Sequence, residues 1–224
     1  MLFLKLIVSP IVAVATVSSV SAHRLDAPIN DHLVFASTNS LDLRYERLLA
    51  QKLDKTPSDL GRVVVCPPFE GEFALSIYST NTNGDLAVLA LVRAKKNIWY
   101  AAHRLDQDLR VSPNVTVKRV NATMKRRVAV AVAEAISHAI ARTRPLAPTE
   151  AVVVDGTSIL FFAPANSKTK VRSAELDPVA KGELSQALRH LVSLLDKYCT
   201  SSNTARQEVS KEIEAQARLI RAIQ

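Results

Sequence analysis

The chain is 224 residues long, 48% hydrophobic and 22% charged, with 5% aromatic residues, five glycines and two cysteines. That length and apolar content suit one domain, one domain with an appendage, or two subdomains, and no repeat or low-complexity tract interrupts the sequence. The formal net charge of +8 directs attention to anionic partners.

Residues 1–22 read as a secretory leader. Lys5 precedes the apolar run LIVSPIVAVATV, and Val20 and Ala22 stand at the two positions a signal peptidase inspects. Cleavage after Ala22 makes His23 the first residue of a periplasmic or secreted protein. The competing reading, a membrane anchor, needs about 20 unbroken apolar residues, and Pro10 and the serines interrupt this run. No later segment is apolar enough to span a bilayer, so the mature protein is expected not to be membrane-spanning. In an oxidising compartment Cys66 and Cys199 are expected to pair as a disulfide. Two separate buried thiols are the simpler alternative.

From residue 23 to 39 the chain shows no period and is expected to be irregular; residues 40–200 carry the elements of an α+β domain. Leu41, Tyr45, Leu48, Leu49 and Leu53 share one face of a helix behind an Asn39 or Ser40 cap. RVVVC is a strand closed by Pro67 and Pro68, which cannot donate to a ladder. FALSIYST and DLAVLALVR flank Asn83-Gly84 and predict a hairpin. Its second strand is apolar on both alternations and so should be covered on both faces.

AKKNIWYAAHRL continues from that strand. VTVKRVNA is another, and Thr123 opens a helix to about Thr143. AVVVDGTSILFF predicts a second hairpin turning on Asp155-Gly156. After the polar loop NSKTKVRSAE, Asp177-Pro178 caps a helix with Leu184, Leu188, Leu191, Leu195 and Tyr198 inward. Residues 201–224 form a last amphipathic helix, started by Thr204 and Gln207 as a capping box. Together these predict an α+β fold: an antiparallel sheet of about five strands built from hairpins, packed by three to four helices.

Three kinds of chemistry compete for the function. A histidine at a processed N-terminus can chelate copper through its amine and ring if a second imidazole closes the site, and His32, His103, His138 and His190 are available to His23. Copper oxygenases of that kind are aromatic-rich and glycine-rich β-sandwiches, unlike this chain, and no HxxxH, HExxH or CxxC spacing supports another metal. No cofactor is expected. A small hydrolase would draw on Glu70 and Glu72 in PPFEGEF, or Asp155, with His103 as partner; a surface loop with two glutamates is the plainer explanation.

Charge carries the strongest signal. Residues 93–144 hold twelve Lys and Arg against three acids. AKKNIWY interleaves Lys95 and Lys96 with Trp99 and Tyr100. MKRR places Arg126 and Arg127 at a helix start, where the macrodipole disfavours cations, and Arg142 and Arg144 follow at its end. Cations kept in an unfavourable place suggest a contact surface for an anionic envelope component or an acidic protein. The competing explanation is a solvated basic face with Trp99 in the core. Nucleic acid is not an expected partner of an exported protein. The resulting expectation is a non-enzymatic binding protein of inhibitor, immunity or envelope-associated type, with the hydrolase as alternative.

At AKKNIWYA, ARTR and VDGTSILFF the chain resembles a group of uncharacterised exported proteobacterial proteins with an AK-x-SIWY strand, an RTRY helix end and a DGT hairpin in that order. The resemblance covers roughly residues 62–163. Asn97 stands where the group has serine, Pro145 where it has an aromatic residue, and SILFF where it has a tyrosine-containing strand. The group implies an exported bacterial protein and supplies no catalytic residue.

Overall fold

The structure is a computed structural model; it describes residues 33–35, 43–53, 58–80, 84–102, 114–144, 156–164, 172–176 and 180–223. The expected leader and its expected cleavage site lie outside these residues, as do His23, His32, His103 and Asp155.

The fold is α+β, around an antiparallel sheet. The strands are β1 (Val34–Phe35), β2 (Gly61–Cys66), β3 (Phe73–Ser79), β4 (Leu86–Ala94), β5 (Val117–Lys125), β6 (Ser158–Phe162) and β7 (Ser173–Leu176). They lie in the order β1-β7-β6-β2-β3-β4-β5. The helices are α1 (Leu43–Leu53), α2 (Ile98–Ala102), α3 (Arg126–Ala141), α4 (Glu183–Thr200) and α5 (Asn203–Ala222). Among the described residues the sheet therefore has seven strands rather than about five. The two extra ones, β1 and β7, are only two and four residues long, too short for alternation to reveal them.

The sheet is covered on both faces. On one face, Val63, Val65, Leu75, Ile77, Leu89, Leu91 and Phe161 meet the apolar stripes of α3, α4 and α5 in the main core. On the other, Val64, Ala74, Val92 and Ala94 meet α1 and α2 in a smaller cluster with Leu48, Leu53 and Ile98. This two-sided burial explains why β4 is apolar on both alternations. The helix α5 shares the main core through Val209, Ile213, Ala217 and Ile220. Leu219 on the same helix is exposed.

The β3–β4 hairpin pairs from Phe73↔Arg93 to Ser79↔Ala87, the hairpin that the two flanking apolar runs predict. Several boundaries differ from the sequence reading: α4 opens at Glu183 behind Gly182, with the expected Asp177-Pro178 cap outside the described residues, and α5 is capped by Ser202 rather than by Thr204. The segment after Ala94 turns into the short helix α2 instead of extending the strand. β5 runs on to Lys125, and α3 begins only at Arg126, because Met124 still pairs with Ala87. β6 pairs with β2 on one side and β7 on the other, so its hairpin partner follows it in the chain. Residues 151–155, the expected first strand of that hairpin, lie outside the described residues.

Cys66 and Cys199 are free thiols, which corrects the expected disulfide. Cys199, on α4, belongs to the main core, whereas Cys66 packs with α1 on the opposite face. The sheet itself stands between them. Cys199 instead donates its S–H to the Leu89 carbonyl at 3.7 Å.

Candidate binding surface

Two turns meet at the end of the sheet where β2 and β4 finish. The first, residues 67–72, connects β2 to β3; the second, residues 95–97, connects β4 to α2. Asn97 joins them. Its buried amide donates to the carbonyls of Pro67 (3.3 Å), Pro68 (3.4 Å) and Glu70 (2.9 Å), while its Oδ1 accepts the Tyr100 N–H at 2.9 Å. That last bond is the cap of α2, since an Asx side chain satisfies a free amide of the first helical turn.

Glu72 supplies the second link. Its carboxylate, 1% exposed, accepts the Ile98 N–H at 2.5 Å and the Trp99 N–H at 3.0 Å. Both oxygens are thus engaged by backbone amides. Behind it the Tyr45 hydroxyl is within hydrogen-bonding reach of the Cys66 thiol and the Glu72 carboxylate, and burial, with those two neighbours, raises its pKa far above the ordinary phenol range. Burial likewise pushes the Cys66 thiol up to about 12, with Glu72 and Glu175 adding to the shift and Tyr45 opposing it. Gly71 completes the joint: a Cβ there would come 2.0 Å from the Ala94 carbonyl oxygen, so only glycine lets the turns approach so closely.

What this joint presents to solvent is aromatic. Phe69 is 74% exposed, Trp99 45% and Tyr100 47%. Trp99 and Tyr100 meet edge to face, centroids 5.3 Å apart. Lys95 and Lys96 are exposed beside them. The Lys95 N–H reaches the Thr116 carbonyl at 3.0 Å, and β5 starts opposite Ala94, so exposed Lys118 and Arg119 stand at the same end of the edge strand. None of these four cations forms an ion pair among the described residues.

The remaining cations expected to join this surface do not. Leu86 pairs with Lys125, so Arg126 and Arg127 sit at the far end of β4. Its nine residues, at about 3.3 Å each, put ~25–30 Å between the two ends. There Arg126 donates its amide to Asp85 O at 2.7 Å and Arg127 pairs with Glu214 at 2.9 Å. Arg142 and Arg144 lie at the other end of α3, where Arg142 donates to the Ile223 carbonyl at 2.6 Å and the Arg144 amide to Leu33 O at 2.9 Å. The single basic patch of the sequence reading is therefore three separate groups, because α3 and β4 carry neighbours in sequence to opposite ends of the fold. A groove of about 460 Å³ lies at the far end, lined by Leu86, Met124, Tyr198 and Arg206 among others. Arg206 there is bound to the carbonyls ending α4.

Among the described residues no three His, Cys, Asp or Glu side chains gather as metal ligands. His190 is exposed and His138 Nε2 lies 3.4 Å from the Ile223 carbonyl. Glu70 is exposed and Glu72 is committed to α2. No helix among the described residues is long and apolar enough to cross a membrane.

Phe69, Lys118 and Arg119 are the members that sequence reasoning missed. The signal for Phe69 was present: an aromatic residue following two prolines in a turn has no strand to bury it. Lys118 and Arg119 required the β4–β5 register. Compared with protein-family models, curated proteins and solved structures, the chain finds no match.

Proposed function

We propose that the protein is a non-enzymatic binding protein of the bacterial envelope, exported by residues 1–22, whose contact surface is the aromatic end of the sheet. The observation that carries this reading is the pairing of exposed Phe69, Trp99 and Tyr100 with a buried framework, Asn97 and Glu72, that holds their turns in place. Large apolar side chains in solvent are unfavourable for an isolated chain, and a fixed cluster of them marks an interaction site. Lys95, Lys96 and Arg119 beside it, with Lys118 on the opposite face of the same strand end, select an anionic partner and steer its approach. Glu72, a candidate of the hydrolase alternative, holds one backbone amide on each oxygen inside this framework.

The test compares two charge reversals for binding to an envelope fraction from the native host. Lys95→Glu with Lys96→Glu should abolish salt-sensitive binding, and Arg127→Glu, at the other end of β4, should leave it intact. Equal loss from both, or from neither, would overturn the assignment of this surface.

A further inference from the structure

We infer that the anionic partner of this surface is a lipid bilayer, and that the two turns form a peripheral docking tip whose aromatic side chains enter the headgroup layer. The inference rests on the surface assigned above and names its partner.

Two observations favour lipid over an acidic protein. The first concerns backbone. Lipid offers few partners for peptide groups, so a segment entering the interface must satisfy its own. Here Pro67 and Pro68 have no N–H to satisfy, and their carbonyls, with that of Glu70, accept from Asn97. The amides of Ile98, Trp99 and Tyr100 end on Glu72 and Asn97. Six polar backbone groups of the two turns are thus met from inside the protein, which lowers the cost of bringing this segment to an interface poor in peptide partners.

The second concerns the side chains. Tryptophan and tyrosine have an apolar body and a polar tip suited to the membrane interface, and lysines beside them reach anionic headgroups. Lys95, Lys96, Lys118 and Arg119 stand against the one exposed acid of the two turns, Glu70. A framework already folded loses little conformational freedom on docking.

Trp99 is the single tryptophan of the chain, so its fluorescence reports on the tip and on no other segment. Protein purified from the native host is titrated with vesicles of phosphatidylcholine alone and with about 30% phosphatidylglycerol, an anionic surface of the kind basic segments recognise. The anionic vesicles should shift Trp99 emission to the blue, and brominated acyl chains should quench it. Both effects should fade as salt rises from about 0.05 to 0.5 M. Lys95→Glu with Lys96→Glu should lower partitioning roughly 600-fold, four units of charge at about fivefold each, with an unchanged thermal melt.

Trp99 emission indifferent to saturating anionic lipid overturns the lipid inference. If envelope binding nevertheless persists and is lost in the double Glu variant, the surface assignment stands with an acidic protein as partner. If envelope binding is also indifferent to that variant, the surface assignment falls with it. Equal binding of the double Glu variant and the parent to anionic vesicles also overturns the inference.

Discussion

The Trp99 amide is held by the Glu72 carboxylate at 3.0 Å across two turns that are 27 residues apart in sequence. That bond and its companion to Ile98 replace backbone partners that a five-residue helix cannot supply for its own first turn. Glu72→Ala leaves two buried amides without acceptors, and each such loss costs roughly 1–3 kcal/mol. A loss of about 2–4 kcal/mol in a urea melt is expected, together with altered Trp99 fluorescence before global unfolding. A melt and emission spectrum identical to the parent would show that the carboxylate does not support the turn.

Asn97→Ser separates capping from bridging. Serine retains an oxygen to cap Tyr100 but lacks the amide that reaches Pro67, Pro68 and Glu70. The expected cost is about 1–2 kcal/mol, paired with faster amide exchange at residues 69–71 than in the parent. Gly71→Ala should be worse. Its Cβ meets the Ala94 carbonyl, backbone against backbone, so the turns must separate, at a cost of about 2–4 kcal/mol by thermal melt.

Trp99→Ala and Phe161→Ala should part company. Phe161 is fully buried among the helices of the main core, and its truncation is expected to cost about 3–5 kcal/mol. Trp99 is nearly half exposed, so its loss should cost less than about 1.5 kcal/mol. Unfolding of the Trp99 variant at ambient temperature would return this residue to the core.

The thiols set an alkaline limit. Burial raises both Cys66 and Cys199 from 9.0 to about 12; for Cys199, Asp196 adds to the shift and Arg206 opposes it. A folded value above the unfolded one stabilises the folded state fully below pH 9, and the contribution is lost as pH rises from 9 through about 12. Tyr45 shifts in the same direction. The melting temperature should therefore hold below that range and fall within it. At pH 8 a maleimide should label neither cysteine until denaturant is added, with or without reductant. Rapid labelling of the native protein would contradict the burial of both groups.

The β3–β4 hairpin was legible because two apolar runs flanking an Asn-Gly dipeptide are a local signal. The inward stripe of α4, from Leu184 to Tyr198, was legible for the same reason: period 3.6 is written in residues a few places apart. The strand β7 was not, because four residues hold too little pattern. The helix α2 was misread because its caps come partly from Glu72, far upstream.

The candidate surface divides in the same way. Composition and order alone determined that cations concentrate between residues 93 and 144, and that Lys95, Lys96, Trp99 and Tyr100 stay together, being within six residues of one another. Only the tertiary structure decided that Arg126 and Arg142 leave them, that Phe69, Lys118 and Arg119 join them, and that the two thiols lie on opposite faces of the sheet. Each of those outcomes depends on strand register and on which face of the sheet a helix covers, and both are set by the packing of residues distant in sequence.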